Sequence, residues 1–475
     1  MIHIPLEKAS PVPFIRQIYD GIRSQILSGS LRAGSRLPSS RELAEQLGVS
    51  RNVVMESYEM LYSEGFTSTR HGSGTFVAQG ASRQAANAAH GIKAEKVSMG
   101  YESPQGIINF KPGTPDLHEF PLRAWLQAVK VAYLHPVEDA MGYGQPEGRR
   151  ELRQAIRDYV VGQRGVACHP DQIIITAGTT QAIGIACHLL LGDRRDVVLE
   201  DPITRDIQLI VQGQGGVIHP VTADHNGLVV DELPQGIQPA FIYVTPSHQF
   251  PLGGTLPIQR RIALLEYAER TDTYLIEDDY DSEFRFDGPP LSSLHGLAPE
   301  RVVYIGTFSK TLSPALRTGY LILPPDLISQ GRGRKWHCDL HNETPTQLAL
   351  AHFIAQGGYL RHLARMKRLY ARKRTVLEQA LGKIFSDRVK ILGSATGLHL
   401  AARFAGIEFT AELLADLERA GVRAYPAEAH AIRPDRLKDI LIIGYGNLSE
   451  GQIERGIGLL CSVLERWASD GAKTE

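Results

Sequence analysis

The stretch Gly306-Thr307-Phe308-Ser309-Lys310-Thr311-Leu312-Ser313-Pro314-Ala315-Leu316-Arg317-Thr318-Gly319-Tyr320 decides how the chain is read. It follows Val302-Val303-Tyr304-Ile305, a continuous apolar run of the kind that forms a strand buried on both faces. A lysine in a loop of small residues after such a strand stands where burial strips water from its amine and lowers its pKa. Such an amine can form a Schiff base. Arg317 offers a planar fork that suits a phosphate, and Thr307 adds a hydroxyl.

Runs like the one before Gly306 recur outward along the chain, at Ile173–Ile175, Val197–Leu199, Phe241–Val244 and Tyr274–Ile276. Helical patterns over 179–191 and 258–270 lie between them. Strand–helix alternation predicts an α/β architecture, a mainly parallel sheet with helices on both sides. From about Pro345 to Arg374 the pattern turns helical, and a smaller α+β segment follows to about residue 469. Glu277-Asp278-Asp279-Tyr280-Asp281 ends one strand, and a carboxylate there can pair with a pyridinium nitrogen. Thr176-Ala177-Gly178-Thr179-Thr180-Gln181 opens a helix whose exposed N–H groups form an anion site. Ligands of open α/β sheets bind at the edge where these groups gather.

The front of the chain has a different texture. Ile15, Ile18, Ile22 and Ile26 share one helical face, and Gly29 ends that helix. In Leu37-Pro38-Ser39-Ser40-Arg41-Glu42-Leu43-Ala44-Glu45-Gln46-Leu47-Gly48-Val49-Ser50-Arg51-Asn52, Ser39 or Ser40 caps a short helix. Leu43, Ala44 and Leu47 give it a core face, Gly48 allows the turn, and Ser50 caps a second helix. There Val54, Tyr58 and Leu61 form one stripe, while Arg51, Asn52 and Met55 lie on other faces near its start. That is the layout of a helix-turn-helix, whose second helix presents its first residues to the major groove. Arg51 can reach a guanine edge or a phosphate, whereas Arg41 can equally pair with Glu45. Arg70-His71-Gly72-Ser73-Gly74-Thr75-Phe76-Val77 reads as a two-stranded wing whose glycines let backbone approach a phosphate.

Composition limits the alternatives. The 475 residues carry 51 Lys+Arg against 52 Asp+Glu, a formal net charge of -1, with 43% hydrophobic residues. This excludes a disordered chain, a collagen-like fibre and a disulfide scaffold. The four cysteines, Cys168, Cys187, Cys338 and Cys461, show no metal-ligand spacing and read as reduced thiols. No secretory h-region and no long apolar span are visible, so a cytoplasmic location is expected. Residues 1–77 hold eight Lys+Arg and seven Asp+Glu, so nucleic-acid binding rests on where the arginines sit, not on bulk charge. Residues 78–106 lack apolar periodicity, are rich in Ala, Gly, Ser and Gln, and read as a flexible linker. The expected organisation is therefore 10–77, a linker 78–106, and 107–475.

LPSSRELAEQLGVSRNVV, YEMLYSEGF and RHGSGTFV occur in order over 10–77, and this block resembles the winged helix-turn-helix of GntR-type transcription regulators. The resemblance implies binding to double-stranded operator DNA, with Ser39, Arg41, Ser50, Arg51, Asn52, Arg70, Gly72 and Gly74 as contact candidates. Residues 108–469, carried by EDDYDSEFRF and GTFSKTLSPALRTGY, resemble fold-type-I pyridoxal 5'-phosphate (PLP) enzymes of the aminotransferase class. That resemblance implies a Schiff base between PLP and Lys310. It also implies that Asp278 faces the pyridine nitrogen, with Asp279 as runner-up, and that Tyr280 bonds the ring hydroxyl. Thr179, Thr180, Thr307 and Arg317 are implied to hold the phosphate. Tyr143, in Gly142-Tyr143-Gly144-Gln145-Pro146-Glu147-Gly148, resembles a tyrosine that reaches a phosphate across a homodimer interface; core packing is the alternative.

The joined pair resembles the MocR/GabR subfamily of GntR regulators, as does the loop Thr245-Pro246-Ser247-His248-Gln249-Phe250-Pro251-Leu252-Gly253. Three departures from ordinary aminotransferases follow. Phe250 stands where they place an asparagine against the ring hydroxyl, so His248 or Gln249 has to supply that contact. In Asp201-Pro202-Ile203-Thr204-Arg205, Thr204 cannot stack on a pyridine ring. Leu441-Ile442-Ile443-Gly444-Tyr445 lacks the arginine that clamps a substrate carboxylate; Arg205 is the effector-binding candidate, with Arg423 and Arg433 behind it. Losing a carboxylate clamp loses positioning, which argues against efficient transamination. The expected function is thus a PLP-dependent regulator that senses PLP itself or an amine-bearing effector through Lys310. An active aminotransferase carrying a DNA-binding domain is the alternative.

Overall fold

The computed structural model describes residues 2, 4–70, 73–81 and 106–471. Most of the expected linker therefore lies outside the described residues, as do His71 and Gly72 of the expected wing. The chain divides into two compact units, Met1–Tyr101 and Glu102–Glu475.

The first unit contains α1 (Phe14–Leu27), α2 (Ser40–Leu47), α3 (Arg51–Ser63), β1 (Thr67–Arg70) and β2 (Gly74–Val77). Ser39 is the N-cap of α2: its hydroxyl accepts from the Glu42 N–H, and the Glu42 carboxylate accepts from the Ser39 N–H. The Ser50 hydroxyl caps α3 by accepting from the Val53 N–H, without a reciprocal side-chain bond. Between the helices Gly48 takes φ +65°, a left-handed turn that fits glycine. Ile18, Ile22, Ile26, Leu43, Val54, Tyr58 and Leu61 close into one core, joined by Ile2 and Ile4 from the chain start. Ile15 and Leu47 stay half-buried at its rim.

The second unit is built on an eight-stranded sheet. Its strands, with those of the smaller lobe, are β3 (Ile108–Asn109), β4 (Ile173–Thr176), β5 (Asp196–Asp201), β6 (Val217–Asp224), β7 (Gly227–Leu228), β8 (Phe241–Val244), β9 (Tyr274–Asp279), β10 (Val302–Thr307), β11 (Gly319–Ile322), β12 (Val389–Leu392), β13 (His399–Phe404), β14 (Val422–Arg423), β15 (Tyr425–Pro426) and β16 (Ile440–Gly444). The helices are α4 (Leu122–Ala132), α5 (Val137–Met141), α6 (Arg150–Arg164), α7 (Thr179–Leu190), α8 (Arg205–Gly213), α9 (Ile258–Arg270), α10 (Ile328–Asp339), α11 (Thr344–Ala355), α12 (Gly358–Phe385), α13 (Ala411–Arg419) and α14 (Glu450–Gly471).

The large sheet runs β4-β11-β10-β9-β8-β5-β6-β7, parallel except for β11 and β7, which run antiparallel to their neighbours. Strand alternation divides the apolar runs between two helical layers. Ile174, Val303, Ile305 and Leu321 pack with Ala182, Ile183, Ile207 and Val211 of α7 and α8. Ile173, Ile175, Tyr304 and Ile322 pack with Ala128, Leu152, Ile156 and Leu348 of α4, α6 and α11. In the smaller lobe β12, β13, β16 and β15 form an antiparallel sheet covered by α12, α13 and α14. All five expected sheet strands are present; β6, β7 and β11 come in addition. Among the described residues no helix is long and apolar enough to cross a membrane.

Candidate functional site

Because β4, β5, β8, β9 and β10 run the same way, their C-terminal ends share one edge. That edge collects Ala177–Gly178, Glu200–Asp201, Thr245–Gln249, Asp278–Asp281 and Thr307–Lys310. Lys310 is partly buried, and loss of water from its amine holds its pKa below the usual lysine range despite the opposing charges of Asp281 and Asp278. Gly113, at φ +66°, faces it: a Cβ there would stand 3.0 Å from the Lys310 Nζ.

Strand alternation separates the two neighbouring aspartates. Asp279 is committed to a buried ion pair, 2.7 Å from the Arg164 Nε on α6, and also accepts from the Tyr304 hydroxyl. Asp278 accepts from the Tyr243 hydroxyl through Oδ2, while its buried Oδ1 has no partner. Burial pushes the Asp278 carboxyl up to about 7 against that hydrogen bond, and the charges of Asp279 and Asp281 add to the rise. Beside it the Tyr280 ring stacks on His248, and its hydroxyl donates to the His248 carbonyl at 2.9 Å. His248 Nδ1 lies 2.8 Å from Asp281 Oδ1. Gln249 is spent on backbone: Nε2 donates to the Pro202 and Phe250 carbonyls at 2.8 and 2.7 Å, and Oε1 accepts from the Leu252 N–H. Of the two candidates for the missing asparagine's contact, only His248 keeps side-chain capacity.

The anion-binding candidates meet at the start of α7. Gly178 caps this helix at φ +93° with no side-chain cap, so its first N–H groups stay open. Arg317, in a left-handed turn at φ +45°, donates to the Ala177 carbonyl. Its guanidinium lies so close to Gly178 that a Cβ there would stand 3.0 Å away. Gln181 Oε1 takes the Ala177 N–H at 2.7 Å, and its Nε2 donates to Asp339 at 2.8 Å. Thr179 and Thr180 begin α7, with Thr180 exposed. Thr307 ends β10, its hydroxyl 3.1 Å from that of Ser309. Tyr143 is 89% exposed with its ring edge-on to His341, so core packing does not account for it.

The arginines divide clearly. Arg433 and Arg436 both pair with the buried Asp201, and Arg423 pairs with Glu418. Arg205 stands exposed at the first turn of α8. Thr204 is the N-cap of that helix. Sequence reading missed Tyr243, Arg164, Asp281 and Glu200. The last accepts from the Thr245 N–H and hydroxyl, and burial pushes it up to about 7. A tyrosine inside an aliphatic strand was the available signal for Tyr243, and an acid at or just after a strand end for Glu200 and Asp281; Arg164, in α6, carried none.

In the first unit Arg51, Asn52 and Met55 are exposed at the front of α3. Arg51 Nε lies 3.2 Å from the Ser40 hydroxyl, which ties the two helices of the motif together. Arg41 is exposed and, among the described residues, makes no ion pair with Glu45. In the wing Arg70 pairs with Gly74 across the hairpin, its guanidinium 4.9 Å from the Phe76 ring.

Comparison with known proteins fits this geometry. The signature "Bacterial regulatory proteins, gntR family" matches residues 14–77, and "Aminotransferase class I and II" matches 105–438. The probable rhizopine catabolism regulatory protein MocR of Rhizobium meliloti is 33% identical, over 98% of this chain and 97% of that protein. The pyridoxine biosynthesis transcriptional regulator PdxR of Corynebacterium glutamicum is 34% identical, over 83% and 84%. Among solved structures, the alpha-aminoadipate aminotransferase LysN of Thermus thermophilus, complexed with N-(5'-phosphopyridoxyl)-L-leucine, superposes with a TM-score of 0.70 at 26% identity, covering 77% of this chain and 94% of that one. The chain belongs to the MocR-type members of the GntR regulators, DNA-binding transcription regulators in which a winged helix-turn-helix is joined to an aminotransferase class I and II domain.

Proposed function

We propose that the second unit holds PLP on Lys310 and that this cofactor, alone or with an amine-bearing effector, sets how the first unit binds operator DNA. The observation that carries the reading is the unpartnered Oδ1 of the buried Asp278, aligned on one sheet edge with a desolvated lysine amine. A buried carboxylate needs a cation or a donor. A pyridinium N–H supplies both. Asp278 is then the ring-nitrogen partner; Asp279, whose Oδ1 is also without a partner, already has its charge balanced by Arg164.

Tyr280 stands where the ring hydroxyl is bonded. The α7 N-terminus, Thr179, Thr180, Thr307 and Arg317 hold the phosphate. The donor set fits the group: Gly113 and Gly178 leave open the space that a Cβ would fill beside Lys310 and Arg317. When bound, PLP supplies an aldehyde for a primary amine and a ring that accepts electrons. The chain's own residues fix its orientation and keep the amine of Lys310 unhydrated.

A homodimer completes the reading. Tyr143 follows α5, and exposed apolar residues precede it in the chain, with Leu134 between α4 and α5 at 74% and Val137 of α5 at 70% exposure, a patch that a second copy covers. Tyr143 then serves the partner's phosphate site. Two copies of the first unit face two half-sites. In this reading Ser39, Ser50, Arg51, Asn52, Arg70, Gly72 and Gly74 contact the duplex, Arg41 joins them, and Arg205 meets the effector. The expected segments 10–77, 78–106 and 107–475 serve as reader, tether and sensor.

The test follows operator affinity while cofactor-free chain is titrated with PLP, first alone and then with primary amines. For this a DNA site selected from a random pool serves as operator. A change in affinity that saturates at one PLP per chain is expected; affinity indifferent to PLP and to amines contradicts the sensor. A ligand shifts the equilibrium only by its differential affinity for the two states.

A further inference from the structure

Three buried groups from three elements converge beside the Lys310 loop. His248 follows β8, Asp281 follows β9, and His399 opens β13 of the smaller lobe. They are 2%, 1% and 0% exposed. One ligand-capable atom from each lies within 4.8 Å of the other two. Each imidazole is anchored through one nitrogen: His248 Nδ1 lies 2.8 Å from Asp281 Oδ1, and His399 Nε2 lies 3.3 Å from the Pro251 carbonyl. The other nitrogen of each ring, His248 Nε2 and His399 Nδ1, is buried with no partner. The rings lie close, centroids 4.7 Å apart at 35°.

Two orphaned nitrogens on neighbouring imidazoles call for an explanation, since each unsatisfied buried polar atom costs about 1–3 kcal/mol. Metal-binding histidines are held in this way, one N–H fixed by a carboxylate or carbonyl and the other nitrogen left to the ion. Bonds of about 2.0–2.2 Å to two imidazoles and a carboxylate suit zinc and its first-row neighbours. Gly397 leaves room for them: a Cβ there would stand 2.4 Å from Asp281 Oδ2 and 2.2 Å from His248 Cε1.

We propose that His248, Asp281 and His399 form a binding site for a first-row transition-metal dication, zinc first among them, that ties the smaller lobe to the C-terminal edge of the large sheet. The inference does not rest on PLP.

Full-length chain, stripped with a chelator and free of added cofactor, should take up one zinc per chain on dialysis against Zn²⁺. X-ray absorption at the zinc edge of the unaltered chain should show two imidazoles and no sulfur. His399→Gln should weaken zinc binding by at least about 10–100-fold, the range lost when even an outer partner of a metal site is removed. No stoichiometric uptake, a zinc shell with sulfur or with fewer than two imidazoles, or a folded H399Q chain that keeps full zinc affinity would each overturn the site. The edge spectrum needs no variant, so a misfolded substitution does not blunt the test. The cofactor reading is followed by visible absorbance, so failure of one is distinguishable from failure of the other.

Discussion

Asp278 and His362 show how single buried groups carry measurable consequences. Asp278 spends one oxygen on Tyr243 and leaves the other without a partner. Asn at this position keeps an acceptor for the Tyr243 hydroxyl and removes the charge. Asp278→Asn is therefore expected to weaken PLP binding by more than about tenfold, the equivalent of one lost charge-assisted hydrogen bond of roughly 1.5–3 kcal/mol. Its far-UV circular dichroism should match the parent. Equal PLP affinity in equilibrium titration would remove Asp278 from the ring-nitrogen role.

His362 is bonded through Nε2 to the Thr311 carbonyl at 3.0 Å, and burial pushes its pKa from 6.5 down to about 4. The unfolded chain takes up this proton first, so the contribution is complete above pH 6.5 and drains away as pH falls towards 4, by at most ~3 kcal/mol. His362→Gln should lower Tm at pH 7.5, yet lose less Tm than the parent between pH 7 and 4.5. Parallel pH slopes in calorimetry would contradict this. Lys310, Asp278, Tyr280 and Arg317 were legible as candidates, because the motifs that carry them lie beside apolar strand runs. The pairing of Asp279 with Arg164, a residue more than a hundred positions upstream, was not legible.

Helices and strands were legible to the extent that their signals are local. α1, α2 and α3 carry their own stripes, caps and turn glycine, so caps, turn and core agree with the sequence pattern. The fully buried strands read as unbroken apolar runs. β6 and β11 did not: β6 sits near the sheet edge with mostly half-buried residues, and β11 begins two residues after the left-handed Arg317, inside what reads as a loop. The front of α3 is the element that the DNA reading depends on. Arg51→Ala removes the exposed guanidinium there and its tie to Ser40. Operator binding should fall at least about tenfold, with a shallower salt dependence if Arg51 meets a phosphate. PLP absorbance should not change. Unaltered affinity in a gel-shift titration would move the groove contact elsewhere.

At the scale of the whole chain, two folded units with separate cores must act on one another for regulation to occur. The family to which the chain belongs pairs these units, but the carboxylate arginine of working aminotransferases is replaced by the apolar β16, Ile440–Gly444. Arg433 and Arg436 cannot take over while both neutralise Asp201.

The central claim is that the amine of Lys310 carries PLP. The most direct measurement is the visible absorbance of the purified full chain and of Lys310→Ala after incubation with PLP and removal of the unbound excess. The parent should retain a visible band at one equivalent per chain, and the variant should be colourless; a parent without the band, or a variant that keeps it, would contradict the account.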